Sequence, residues 1–575
     1  MKNGCPRVAR WLLITVALPA AVGGQSAIGA RVDSVFRAYA APSGPGCAVG
    51  VARDGVPVFT RGYGTASVES RLPITSATTF NIGSVAKQFT AYAVLLLVRD
   101  DRLSLHDDVR RWVPEVPAYG ATIRVRDLLY HTSGLRDYGA LSRLADRPTR
   151  TMPEFLALLA SQRGVNFTPG TRHEYAHSDY SLLAEVIERA SGMPFGQYLE
   201  QSIFQPLGLT STRVHDGRHH PVPGRAFAHD VDGDTGSGSV RIRMPSNELV
   251  GGSNVYTSVD DMLRWEANYF TGRVGSVSMM AQLLTRPTLA SGDTIPYAYG
   301  LNLGEYRGLP TVIRGGSGGG FPTEMIRFPG QRFMTLALCN VSGARPFDLI
   351  ASVAELYLAD EMHPPRPDPL RDSVATPPAE VARFAGIYRP QGQSGADQPF
   401  NIMRIVARDG ALQEQFKDQL YGLTRLTDGR YFADGLYYEF TANGPTEPVS
   451  LHFTGEGITE RFVGGAGASL WRPRAAELAA YRGGYTSTDL NVTWQLSVTD
   501  GALHLRRNGQ RPARMNAIDP DVFDAELGTK DEPLPIGVKF VRNQSGRVNR
   551  MLVSSEPRPF ERAHAIRFDR LAGNR

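Results

Sequence analysis

A chain of 575 residues with 42% hydrophobic and 21% charged side chains has the composition of a soluble globular protein, which excludes disordered, collagen-like and coiled-coil chains. Ordinary domain sizes divide such a length into about three or four units. The formal charge is +5, but three basic and no acidic residues stand in the first 23, so the remainder carries +2; its arginines are scattered without interleaved aromatics, and no nucleic-acid partner is expected.

The first predicted element is an export signal. Lys2, Arg7 and Arg10 precede an apolar run from Trp11 to Val22, with small residues near Gly23. A membrane anchor is the competing reading, but the run falls short of the ~20 residues a spanning helix needs, and it contains Pro19. Residues 1–23 are therefore expected to be a signal peptide, leaving an exported protein, periplasmic or extracellular, with no integral membrane span after cleavage. Cys5 leaves with the signal. Cys47 and Cys339 remain, and two buried, unpaired thiols are expected in preference to a disulfide.

From Cys47, CAVGVARDGVPVFTRGYG alternates apolar residues around Asp54-Gly55, a hairpin signal. Helical periodicity follows in SVAKQFTAYAVLLLVRD and again in SDYSLLAEVIERASG, which ends at Gly192. Strands return in TVIRGG, TEMIRFP and RFMTLALCN. A strand hairpin, a helical middle and three late strands predict an α/β (α+β) domain whose sheet is built from both ends of the segment.

The Pro-rich stretch from His363 to Pro378 reads as a linker. Beyond it, AEVARFAGIY at 379–388 recurs 97 residues later as AELAAYRGGY at 476–485, with Asp-Gly hairpins in RDGALQ and TDGALH. Two β-rich repeats of barrel or sandwich type, 379–473 and 476–575, are expected, neither with an obvious catalytic cluster.

Ser84 and Lys87 in FNIGSVAKQFTAY stand three apart at the start of a helix, so their side chains share a face near the positive end of the helix dipole. A serine hydroxyl needs a nearby base, and a lysine serves only if its surroundings lower its pKa from ~10.4 toward neutrality. Alone, S-x-x-K reads more readily as a helix cap with a solvated lysine. A second string, PGTRHEYAHSDYSLL, is more ambiguous. His173, Glu174 and His177 spell the zinc-protease H-E-x-x-H, with Glu200 available as a third ligand, while Ser178 and Asp179 follow the second histidine. Pro169-Gly170 just upstream argues against one helix carrying both histidines, and adjacent side chains at 177–179 diverge, so neither a metal nor a Ser/His/Asp relay is expected there.

GSVAKQFTAYAVLLLVRDDRLSLHDDV, RVRDLLYHTSGLRDY, PGTRHEYAHSDYSLLAEVIERASG, GGSNVYTSVDDMLRW and IRGGSGGGFPTEMIRFPG, in this order, resemble the beta-lactamase-related serine hydrolases over roughly residues 31–360. That family includes class C beta-lactamases, D-alanyl-D-alanine carboxypeptidases, D-aminopeptidases and esterases. The resemblance implies a penicillin-recognising fold, an antiparallel sheet flanked by helices, with Ser84 as nucleophile and Lys87 as its partner. It places the family's Tyr-x-Asn on Tyr175-Ala176-His177, followed by Tyr180, and its third motif on Arg314-Gly315-Gly316. Ser84, Lys87 and Tyr175 are then catalytic, and the backbone N–H groups of Ser84 and Ser317 form the oxyanion hole. His177, Arg314, Gly315 and Gly316 contact substrate, Arg314 with a cation for a substrate carboxylate, and the glycines at 315, 316 and 318–320 admit a substrate backbone. His177 and Arg314 replace the family's asparagine and lysine or histidine. No cofactor is implied; the partner is a small-molecule or peptide substrate. The expected reaction is acyl transfer through Ser84 on a peptide, amide or ester, with beta-lactam hydrolysis the least secure transfer; the alternative is a peptidoglycan- or peptide-binding protein without turnover. His131 is expected to fix a loop, Asp260 and Asp261 to cap a helix, and the C-terminal repeats to narrow or cover the active-site mouth.

Overall fold

The computed structural model describes residues 21–571 apart from 218–220, 232–239, 245–247, 366–367, 392–401, 417–418, 434, 443, 445–446, 456–457, 467, 508, 530–532 and 556–561. Most of the expected signal peptide, residues 1–20, lies outside the described residues. Among those described, no helix is long and apolar enough to cross a membrane.

A seven-stranded antiparallel sheet organises the first part of the chain. Its strands are β1 (Cys47–Arg53), β2 (Val56–Tyr63), β3 (Tyr297–Ala298), β4 (Leu301–Tyr306), β5 (Leu309–Gly318), β6 (Phe321–Phe328) and β7 (Phe333–Cys339). They lie in the order β3-β4-β5-β6-β7-β1-β2, so the early hairpin joins the late strands through β1 and β7. The hairpin turns at Asp54 and Gly55, both with positive φ (55° and 73°), the pair that a tight twisted turn requires. β1 is buried along its length up to Arg53, as its uninterrupted run of small and β-branched residues demands.

Helices cover both faces. α1 (Ala21–Val35) precedes β1; α2 (Lys87–Arg99), α3 (Tyr138–Ala145), α4 (Met152–Ala160), α5 (His177–Ser191) and α6 (Val259–Thr271) lie between β2 and β3; α7 (Pro346–Leu358) follows β7. α5 stops where glycine permits the left-handed conformation, at Gly192 with φ 67°. One face of the sheet packs Ala48, Met325, Leu336 and Leu338 with α2, α5 and α6. The other packs Val49, Val51, Ile326 and Phe328 against α1 and α7 through Val32, Ile350 and Val353.

Two expectations are corrected. Cys47 and Cys339 are not free thiols: they stand directly opposite in the β1–β7 register, with Cα atoms 4.0 Å apart, and form a disulfide. Their 292-residue separation conceals that neighbourhood. The cap of α6 is Ser258, whose hydroxyl accepts the Asp261 N–H at 3.2 Å. Asp261 turns away to accept Ser211 N at 2.7 Å and Thr212 Oγ1 at 2.8 Å, while Asp260 accepts Ser76 Oγ at 3.1 Å.

The repeats are two closed eight-stranded barrels, from Gly386–Pro390 to Ile458–Gly465 and from Gly483–Ser487 to Ile566–Arg570. The repeated A-E-x-A motif makes a helical turn ahead of each first strand, and the repeated tyrosine bonds back to it: Tyr388 Oη donates to Phe384 O at 2.7 Å, Tyr485 Oη to Tyr481 O at 3.0 Å. Asp409-Gly410 and Asp500-Gly501 take positive φ in their hairpins. The second barrel docks on α3 and α4, sharing an apolar cluster with Ala140, Leu141, Leu144 and Leu158, and Asp489 pairs with Arg136 at 2.8 Å in a buried setting.

Candidate active site

Ser84 stands on a 3-10 turn, Gly83–Ala86, that runs into α2 at Lys87. Gly83 has φ 50°, and a Cβ there would fall 2.8 Å from the backbone nitrogens of Ser317 and Gly318, so the turn is pressed against β5 as only glycine allows. A Cβ on Gly316 would meet Ile82 O at 2.2 Å and Ser84 N at 2.9 Å. The glycines at 316 and 318 therefore seat the Ser84 turn on the strand, and a Cβ on Gly315 would meet the Glu324 carboxylate. The same approach brings the Ser317 backbone nitrogen beside the Ser84 turn.

Tyr175 arrives from the segment ahead of α5. Its Oη lies 2.8 Å from Ser84 Oγ, and Lys87 Nζ donates to Ser84 Oγ at 3.2 Å and to the Gly252 carbonyl at 2.8 Å. Arg314, on β5, donates through Nη2 to Tyr175 Oη at 2.8 Å and through Nε to the Ser84 carbonyl at 3.1 Å. It is only 5% exposed, so its cation serves Tyr175 instead of standing open to a substrate carboxylate. His177 begins α5, its ring 5.3 Å from that of Tyr175.

The electrostatics follow from this crowding. Burial lowers the Lys87 ammonium pKa against the opposing pull of Tyr175, and Arg314 lowers it further. Burial alone would raise the Tyr175 phenol, but the charges of Lys87, Arg314 and His177 outweigh it and bring it down to about 6. Burial opposes the cation of His177 as well, yet buried Asp137 prevails and raises its pKa. Asp137 accepts the His177 N–H at 2.6 Å and lies 3.1 Å from His177 Nδ1. The arrangement sets a phenol of lowered pKa against a serine hydroxyl, beside Lys87, Arg314 and His177, which suits removal of the serine proton near neutral pH.

The H-E-x-x-H string does not form a metal site. α5 starts only at His177, so His173 is not on it; His173 Nδ1 contacts the Tyr130 carbonyl at 2.8 Å while His177 faces Asp137, and Glu200 sits 3.8 Å from Arg213. Among the described residues no group of three histidine, cysteine or acidic side chains is placed to hold a metal. Ser178 and Asp179 diverge: Ser178 Oγ donates to Arg136 O at 2.7 Å, whereas Asp179 meets His131 Nδ1 at 2.7 Å and Ser133 Oγ at 2.5 Å. His131 is fully buried, its ring 4.3 Å from that of Tyr175, and it ties its own loop to α5. Burial lowers the His131 imidazole pKa and raises that of the Asp179 carboxyl, both disfavouring the charged forms. Asp137 and the Gly252 carbonyl carry no motif in the sequence; Asp137 sits before a helical pattern, the only local sign it offers, as N-cap of α3.

A Ser-Lys pair met by a tyrosine, on an antiparallel sheet between helical layers, defines the scaffold of an S-x-x-K serine hydrolase. The chain belongs to the Beta-lactamase family, whose model matches residues 32–359. Its relatives include a D-aminopeptidase of Gluconobacter oxydans (strain 621H), 29% identical over 319 residues, 54% of this chain and 59% of that one. A D-aminopeptidase of Brucella anthropi is 31% identical over 312 residues, 52% of this chain and 57% of the relative. The chain thus spans somewhat over half the length of these curated relatives. The octameric penicillin-binding protein homologue from Pyrococcus abyssi is similar in fold, with TM-score 0.52 at 18% identity over 96% of this chain and all of that one.

Proposed function

We propose that this protein is an exported serine hydrolase that forms an acyl-enzyme on Ser84 and cleaves a peptide, amide or ester, with N-terminal D-amino-acid peptides and amides as the first substrates to examine. The observation that carries the reading is the 2.8 Å contact between Ser84 Oγ and a Tyr175 phenol lowered to about 6. Tyr175 takes the serine proton as Ser84 attacks the carbonyl, and returns it to the leaving amine or alcohol; Lys87 and Arg314 hold the phenolate in place. The N–H groups of Ser84 and Ser317 receive the oxyanion, and their proximity across Gly83 and Gly316 supports that role. His177, its pKa raised by Asp137 and its side chain partly exposed, takes the substrate contact that the family's asparagine makes.

The substrate class is supported by the D-aminopeptidases among the relatives. Export is supported by the basic-then-apolar N-terminus and by a disulfide that an oxidising compartment maintains. The test is a substrate panel of D-amino-acid amides, p-nitrophenyl esters and nitrocefin, run with wild type and Ser84→Ala. Turnover of the amides or esters that Ser84→Ala abolishes supports the reading. Stoichiometric acylation without turnover on every substrate would instead make the protein a ligand-binding relative.

A further inference from the structure

We propose that the Arg562–His564 segment of the second barrel is a positioning element of the active site, holding both flanks of Tyr175-Ala176-His177. The inference rests on the Ser84 reading above. On the upstream flank, His564 Nε2 lies 3.0 Å from Glu174 Oε2, and Arg562 Nη1 lies 3.7 Å from the same oxygen. Asn166 completes the joint, donating to Glu174 Oε1 at 2.6 Å and to the Arg562 carbonyl at 3.2 Å, and accepting the His564 N–H at 2.8 Å. On the downstream flank, the Asp137 N–H donates to the Arg562 carbonyl at 3.0 Å, while the Asp137 carboxylate grips the N–H and ring of His177. One short stretch of the barrel thus fixes the residue before Tyr175 and the partner of His177.

These contacts differ from those that dock the barrel. Docking is supplied by the apolar cluster on α3 and α4, by Arg136–Asp489, and by Arg507 donating to the Arg143 carbonyl at 2.7 Å. Of these, the apolar cluster reaches the Tyr175 segment through Tyr138, whose ring lies 6.2 Å from that of His177, whereas the Arg562–His564 contacts hold Glu174 and Asp137 by hydrogen bonds. Burial would raise the Glu174 carboxyl, but His564, Arg562 and Asn166 hold it below its ordinary value, so the joint is ionic and directional. Glu174 and His564 are separated by 390 residues, and the joint exists only when the barrel is docked. Since Tyr175 must reach Ser84 Oγ at hydrogen-bond distance, a small relaxation of its upstream flank lowers the rate of proton removal more than it weakens probe binding.

The experiment is fluorophosphonate labelling of the full-length protein, separating the maximal labelling rate from the half-saturating probe concentration. His564→Ala is expected to lower the maximal rate by about tenfold or more while half-saturation moves less than about twofold; His564→Gln, which restores a donor, recovers most of the rate. Arg389→Ala, which removes the 2.8 Å pair with Asp519 between the two barrels, keeps the wild-type rate. A wild-type maximal rate in a folded His564→Ala protein, even one with a lowered melting temperature, overturns the proposal, as does an equal loss in Arg389→Ala. If His564→Ala fails to fold, Glu174→Gln is read in the same way, and a wild-type rate there overturns it. Labelling that persists in Ser84→Ala refutes the nucleophile reading instead; loss in Ser84→Ala beside full activity in His564→Ala refutes the positioning role alone.

Discussion

Replacing Arg314 by glutamine removes the cation that faces the Tyr175 phenolate at 2.8 Å. At that distance and an effective dielectric constant of ~20, the gross attraction is about 6 kcal/mol. Lys87 and His177 remain beside the phenol, and water screens the vacated space, so roughly half of that is expected to be lost, about 3 kcal/mol or 2 pH units. In the proposed mechanism the base is the deprotonated phenol, present in the wild type above a pKa of about 6 and lost as pH falls through it. In Arg314→Gln the same loss occurs about 2 pH units higher. The second-order rate of fluorophosphonate labelling, measured from pH 5 to 10, reads the free-enzyme ionisation. The acid limb should move to about pH 8, leaving the variant roughly tenfold slower at pH 7 and largely recovered at pH 9. A uniform loss at every pH, with the limb unmoved, would refute the argument that Arg314 acts through Tyr175.

Tyr175→Phe should cut turnover by about 10²- to 10⁴-fold with little change in melting temperature; a near wild-type rate transfers the base role to Lys87 or His177. Gly316→Ala should destabilise the protein by about 1–3 kcal/mol in urea titration and depress activity, because its Cβ would press on Ile82 O at 2.2 Å; an unperturbed midpoint would mean that β5 does not seat the Ser84 turn. Replacing both Cys47 and Cys339 by alanine should cost about 2–4 kcal/mol, with no change in the labelling rate per folded molecule.

What the sequence made legible was local. Asp54-Gly55, Gly192 and the Ser84–Lys87 spacing each carry their structural consequence within a few residues, and the turn, the helix end and the shared helix face are where that chemistry puts them. The repeated tyrosine and Asp-Gly hairpins likewise announced two similar β units. Contacts between distant segments were not legible from spacing. Only the family resemblance suggested that Tyr175 meets Ser84, 91 residues away, and nothing local showed Cys47 opposite Cys339 or Glu174 against His564. Arg314 was misread for the same reason. Its place in the third motif suggested a cation for a substrate carboxylate, whereas the structure turns its Nε to the Ser84 carbonyl and its Nη2 to Tyr175 Oη. Asp260 and Asp261 were assigned the cap because acidic residues favour a helix start, but the hydroxyl of Ser258 is the group that reaches the free N–H.

The central claim is that Ser84 is the nucleophile, and intact-mass spectrometry of the full-length protein after fluorophosphonate treatment tests it most directly. A single adduct on wild type, mapped by peptide analysis to Ser84 and missing from Ser84→Ala, is the result the structure predicts. An adduct of the same stoichiometry on Ser84→Ala, or one mapped to another residue of the wild type, would contradict it.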